Sequence, residues 1–298
     1  MTFIASVIQT QQLSKSFGKV EAVRQLDLTV QPGRITAFLG LNGAGKSTTI
    51  KMLLGMIHPT SGDAKVLGKR VNDPTEGLEL RRKVAYVSEN KRLYDYMTVE
   101  QMISFTKSFY PDWRPEVERK LLSDFNLPVD RKIRSLSKGM QTKLALLLAF
   151  ARRPELLILD EPSEGLDPIG IEQMLEHLVA HCGEGTAVFF SSHQISEVER
   201  VADHVCLLHQ GSLLVDAAMD DIRETYSQID LVFPSAPDEN ALRLAGVQSI
   251  RVRGRQITVY VSRDAELLIE RAKALGASSV EASPLSLREI FLETVRER

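Results

Sequence analysis

The segment Gly40-Leu41-Asn42-Gly43-Ala44-Gly45-Lys46-Ser47 limits what this chain can fold into more than any other stretch of it. An apolar run from Ile35 to Leu39 precedes it and reads as a buried strand, and a helix-like stretch from Lys46 to Met56 follows. Strand, glycine-rich loop and helix in that order let backbone N–H groups converge on phosphate oxygens. The helix N-terminus adds positive potential, Lys46 can reach terminal phosphates, and Ser47 can ligate magnesium. A sheet carrying such a loop is expected to be parallel with crossover helices, hence an α/β fold.

The rhythm downstream agrees. A helix is expected from Lys138 to Ala151, a buried strand from Leu156 to Leu159, a helix from Ile169 to His181 and a strand from Thr186 to Ser191. Upstream of the loop, Val23 to Val30 reads as a strand, separated from Ile35 by the turn Gln31-Pro32-Gly33. From Tyr94 to Leu127 the pattern is helical and aromatic, with Tyr94, Tyr96, Phe105, Phe109, Tyr110, Trp113 and Phe125. After about residue 217 the style changes. Val247 to Val252 and Ile257 to Val261 alternate around Gly254-Arg255 as a hairpin, and Ala265 to Leu275 reads as a helix, together a small α+β appendage. At 298 residues the chain has room for a main domain and such an addition.

A second chemical element is Leu156-Leu157-Ile158-Leu159-Asp160-Glu161, an apolar strand ending in two acids at the edge where ligands bind in parallel sheets. Asp160 is suited to hold magnesium through water, and Glu161 to polarise an attacking water as general base. A solvated strand end is the alternative for a lone acid; the phosphate-binding loop upstream favours chemistry.

Composition closes off other classes. With a net charge of -2 and 43% hydrophobic residues there is no global pull toward nucleic acid. The longest purely apolar stretch, Leu144 to Ala151, falls far short of the roughly 20 residues that a membrane-spanning helix needs. Met1 to Val7 has neither a basic start nor a long apolar stretch, which argues against a signal peptide and for residence in the cytosol. Cys182 and Cys206 stand in no metal-type spacing and are expected to be reduced, incidental thiols.

Taken with the phosphate loop and the paired acids, Leu136-Ser137-Lys138-Gly139-Met140 makes residues 8 to 216 resemble the nucleotide-binding subunits of ABC transporters. The segment is similar to that family's LSGGQ signature, which other P-loop proteins lack. The resemblance implies a RecA-like core with an antiparallel β subdomain and a helical subdomain (about 92–150) within residues 1–217, then a small α+β domain at 218–298. It implies ATP and Mg2+ as ligands. Gly40, Asn42, Gly43, Ala44, Gly45, Lys46, Ser47 and Thr48 would hold the nucleotide, with Ser47, Glu89 and Asp160 toward the metal. Ser137 and the backbone at Gly139 would touch the γ-phosphate held by the opposite subunit, a role that suits a helix N-terminus capped by serine.

Other positions match with variations. Glu161 to Pro168 resembles the strand end and D-loop, with Asp167 communicating across the dimer and Glu164 in place of a usual serine. His193 matches the switch histidine that touches the γ-phosphate. Glu89, within Val87-Ser88-Glu89-Asn90, stands where the Q-loop glutamine senses metal and water; a carboxylate still offers oxygen to magnesium. Phe17 resembles the aromatic that stacks on adenine, against the alternative of a core residue. Lys138 replaces a glycine and Met140 a glutamine; Lys138 either adds charge near the phosphate or lies in solvent. Most aromatics after Glu89 are expected to be subdomain core, with Tyr94, Tyr96 and Met97 the candidates for contact with a membrane partner.

The Glu89 variant, Leu93-Tyr94, Met97-Thr98-Val99-Glu100 and Ser286 to Leu292 look like the ABC-2 exporter group. The resemblance thus implies an ATPase that pairs as a homodimer or heterodimer around ATP. It would power a separate integral-membrane permease from the cytoplasmic face of the cell membrane. A DNA-repair or chromosome-organising relative would need coiled-coil or zinc-bearing insertions, and a translation-factor relative would carry two cassettes; this chain has neither. A P-loop kinase or GTPase would lack the signature segment.

Overall fold

Ile35–Leu39 and Leu156–Asp160 are buried at every position, as befits strands covered on both faces of a parallel sheet. The computed structural model describes residues 6–73, 76–235 and 239–296. In chain order these carry β1 (Ile8–Phe17), β2 (Val20–Leu26), β3 (Thr29–Val30), β4 (Ile35–Leu39), α1 (Lys46–Leu53), β5 (Ser61–Val66), β6 (Lys69–Arg70), α2 (Gly77–Lys83) and β7 (Val84–Val87). Next come α3 (Val99–Lys107), α4 (Pro115–Asp124), α5 (Lys138–Phe150), β8 (Leu156–Asp160), α6 (Pro168–Gly183), β9 (Ala187–Ser192), α7 (Ile195–Val201), β10 (His204–His209) and β11 (Ser212–Ala218). The last part holds α8 (Met219–Thr225), β12 (Ser227–Val232), β13 (Val247–Arg253), β14 (Gln256–Val261), α9 (Ala265–Ala274), β15 (Ser279–Pro284) and α10 (Leu287–Arg296).

The chain divides into two compact units, Met1–Asp216 and Ala217–Arg298. In the first, a six-stranded sheet runs β11-β10-β4-β9-β8-β7, and the pairs β10/β4, β4/β9, β9/β8 and β8/β7 are parallel. The carboxyl ends of β4, β8 and β9 therefore come side by side and deliver Gly40, Asp160 and Ser192 to one rim. An antiparallel sheet of β2-β1-β5-β6, with β3 also on β1, packs into a core with Phe38, Ile50, Leu156 and Phe189. In the second unit the antiparallel order is β13-β14-β12-β15, and Ile229, Leu231, Ile257 and Val259 pack against Leu268 and Ala272 of α9.

Several expected elements differ in detail. The helix expected to reach Met56 stops at Leu53, because Gly55 takes φ 65 and its N–H returns to the Met52 carbonyl, a glycine helix stop. The expected strand Val23 to Val30 splits into β2 and β3. Gln12 and Gln25 adopt positive φ there, and the Asp27 carboxylate accepts from Gln12 N at 2.7 Å in place of a ladder bond. The aromatic stretch is not helical at its start: α3 begins only at Val99, where Thr98 and Gln101 form a capping box. Nor are its aromatics mostly core. Trp113 and Phe125 are buried, but Tyr94, Tyr96, Phe105 and Phe109 are exposed, their rings touching in a chain.

Candidate nucleotide site

β4 hands the chain to the loop, and α1 receives it at Lys46. Between them Gly45 takes φ 108, and a Cβ there would lie 2.3 Å from the Ala22 carbonyl oxygen, so both conformation and space require glycine. Lys46 is almost wholly buried. Its Nζ donates to the Gly40 carbonyl at 2.6 Å and lies 3.1 Å from Glu161 Oε1. Ser47 Oγ donates to Asp160 Oδ1 at 3.2 Å, and Ser191 Oγ donates to the same oxygen at 2.7 Å. The amide of Glu161 donates in turn to Ser191 Oγ at 3.0 Å, which locks the end of β8 to β9.

Glu161 itself has φ 48, a left-handed backbone that costs a non-glycine residue on the order of 1 kcal/mol and is typical of functional positions. That kink turns its carboxylate into the space between Lys46 and His193. Oε2 lies 2.8 Å from His193 Nδ1. Oε1 is buried and, among the described residues, receives no hydrogen bond, since Lys46 approaches it as an ion pair outside hydrogen-bonding geometry. A buried carboxylate oxygen with a free lone pair beside a phosphate loop is what a general base needs.

A cavity of about 520 Å³ gathers Asn42, Gly43, Gly45, Lys46, Ser47, Thr48, Glu89, Glu161 and His193, together with Ala22, Leu41 and Glu164. Gly40 and Ala44 form the buried underside of the loop, and Asp160 is reached through Ser47. Burial, reinforced by the charges of Asp160 and Glu89, pushes the Tyr86 phenol up to about 12. Phe17 does not line this cavity. It is 53% exposed, with Lys15 Nζ 5.1 Å from its ring centroid. Ser137, Gly139 and Asp167 also lie elsewhere, in a second cavity of about 200 Å³ with Met140, Lys143, Gly165 and Leu166. There Ser137 caps α5 by accepting from Met140 N at 3.2 Å, and Asp167 caps α6 by accepting from Gly170 N at 2.7 Å.

Two features had no sequence signal strong enough to find them. Glu164 lines the nucleotide cavity and pairs with Lys138, although the two are far apart in the chain. Glu197, buried on α7, accepts from Ser163 Oγ at 3.0 Å and Ser192 Oγ at 3.1 Å, tying the loop after β8 to the residue before His193. Burial pushes its carboxyl up. Both cysteines are free. Cys206 Sγ donates to Asp216 Oδ1 at 3.3 Å, and His204 Nε2 lies 2.6 Å from the same oxygen, a cross-strand cluster already satisfied by its own hydrogen bonds.

Fold and site together define a P-loop ATPase in which the acidic end of β8 faces the phosphate loop at the end of β4. The profile of the ABC transporter family matches residues 23–164. The bacitracin transport ATP-binding protein BcrA of Bacillus licheniformis is 36% identical over 225 residues, 74% of this chain and 72% of that protein. The Nod factor export ATP-binding protein I of Burkholderia lata is 31% identical over 296 residues, 96% of this chain and 95% of that one. A solved ATP-binding subunit of an ABC transporter is 33% identical, with a TM-score of 0.67 over 73% of this chain and 92% of its own. The chain belongs to the ABC transporter ATP-binding proteins: it binds and hydrolyses ATP.

Proposed function

We propose that the chain works as one half of an ATP sandwich that drives a separate permease, for export. The observation that carries this is the division of the phosphate-facing residues between two cavities. Lys46, Ser47, Glu161 and His193 stand at one. Ser137, Gly139 and Asp167, at the capped starts of α5 and α6, stand at the other. A second copy or a similar chain, turned to face the first, would bring each serine-capped helix start onto the γ-phosphate held by the other.

Ser47 and Glu89 line the cavity, Ser47 Oγ donates to Asp160, and the three supply oxygen alone, a donor set that fits Mg2+. Bound there, the ion would neutralise phosphate charge. Lys46 would hold the β and γ phosphates, Glu161 would take the proton of the attacking water through Oε1, and His193 would hold Glu161 and the γ-phosphate in line. Phe17, exposed at the end of β1, would stack on adenine.

No helix among the described residues is long and apolar enough to cross a membrane. The exposed ring chain from Tyr94 to Phe109 supports contact with a membrane partner, which would hold the subunit at the cytoplasmic face. Export is supported by the relative named for Nod factor export. The test is Glu161→Gln, which keeps every binding contact but removes the base. It should bind ATP, hydrolyse it at least about a hundredfold more slowly, and run as a dimer on size exclusion only with ATP. A monomer at saturating ATP overturns the sandwich, and full turnover overturns the base.

A further inference from the structure

Lys138 and Glu164 are each unusual for their motif, and they meet. Lys138 opens α5 directly after Ser137; Glu164 lies in the turn between β8 and α6. Lys138 Nζ donates to Glu164 Oε1, and the bond holds the Glu164 carboxyl below the usual carboxylate range. The backbones around the pair are also locked. Thr142 Oγ1 donates to the carbonyls of Lys138 and Glu164, each at 3.1 Å. A Cβ on Gly139 would fall 2.5 Å from the Gly165 carbonyl oxygen, so the start of α5 rests directly on that turn.

The pair itself is half open to water, with the side chains 61% and 36% exposed, and such pairs add little to stability. Its place suggests another use. Glu164 lines the nucleotide cavity, where Glu89 and Glu161 already stand and Lys46 is the one lysine or arginine among the described residues. A further carboxylate left without a partner there would repel a polyanion.

We propose that Lys138 and Glu164 form a charge-compensated latch that joins the nucleotide cavity to the start of the signature helix. Lys138 cancels a carboxylate that would otherwise oppose ATP, and Glu164 ties the Ser137 cap to the cavity in which its own chain binds phosphate. Glu164 is thus a positioning residue, acting through Lys138. Lys91 lies within electrostatic reach of both, its Nζ buried with no hydrogen-bond partner among the described residues.

The inference rests on the nucleotide reading of the cavity, and one titration series separates the two. Mg-ATP binding to the full chain is measured by isothermal titration for the wild type, Lys46→Ala, Lys138→Met, Glu164→Gln and the double Lys138→Met/Glu164→Gln. If the wild type and Lys46→Ala bind alike, the nucleotide reading itself fails. If that reading holds, Lys138→Met should weaken binding about three- to tenfold at low salt, as an unpaired carboxylate near the phosphates would. The loss should shrink as salt is raised to about 1 M. Glu164→Gln should bind at least as tightly as the wild type, and the double variant should recover most of the loss. A merely structural pair would weaken binding to a similar extent in both single variants and in the double, following unfolding temperature and ignoring salt. That pattern, or a Lys138→Met affinity equal to the wild type, overturns the latch.

Discussion

At Glu161 one backbone angle decides where the carboxylate points. The residue leaves β8 in the left-handed region, so its carboxylate swings toward Lys46 and His193 instead of continuing the alternation of the strand. That position was legible in the sequence, because two acids at the end of an apolar run need a shared reason. The amide lock through Ser191, which makes the kink reproducible, was not, since it joins residues of different strands. Phe17 was readable only as an aromatic at a suitable distance before the loop. Its exposure removes the core alternative and leaves a modest expectation: Phe17→Ala should weaken ATP and ADP binding in parallel by about 1 kcal/mol, the worth of one stack. Equal affinities in a folded variant would show that the ring does not touch the base. Lys138 and Glu164 escaped the sequence for the opposite reason. Each was visible as a departure, but nothing in a linear chain announces that two departures will meet.

Among elements, those with strong patterns were found and those held by partners were not. β4, β8 and β9 are apolar throughout, and the hairpin β13/β14 alternates around Gly254, so both kinds were readable. β1 was missed although it is the longest strand described. Its sequence, IQTQQLSKSF, carries few apolar residues, and register shifts after Leu13 break what alternation there is. β15 has only polar or small residues around Val280 and is mostly exposed, so its pairing with β12 supplies what its own sequence lacks.

α6 carries a feature that periodicity alone cannot interpret. His177 and His181 are buried on it, His181 stacked on Phe150 at 4.6 Å between centroids with Nε2 lacking any partner among the described residues. Burial pushes both histidines below their ordinary value. In the unfolded chain they take up protons as pH falls through about 6.5, while the folded chain resists. Stability should therefore be full above that range and be lost progressively as pH falls through it toward the lowered folded-state values. His181→Phe should flatten this acid limb, raising the melting temperature at pH 5.5 relative to wild type more than at pH 8. A parallel shift at both values would mean that packing, not protonation, is what changed.

For the whole molecule, the separate cores of the two units imply that the first can stand alone. A chain ending at residue 217 should bind ATP within about twofold of the full chain, since every cavity residue lies before that point. Calorimetric titration of the truncated and full chains would check it, and a large loss would give the second unit a part in nucleotide binding.

The two cavities have a consequence best put in genetic terms. If each catalytic centre takes its loop from one copy and its capped helix from the other, Lys46→Ala and Ser137→Arg damage different halves of a centre. Each protein alone should be dead, because both of its centres are spoiled. Mixed and allowed to exchange, they should complement each other: a hybrid pair joins the intact loop of the Ser137→Arg copy to the intact cap of the Lys46→Ala copy. With random pairing, half the assemblies are hybrids with one sound centre each, and about a quarter of wild-type turnover should return. Two inactive preparations that exchange subunits and still remain inactive would overturn centres built from both copies.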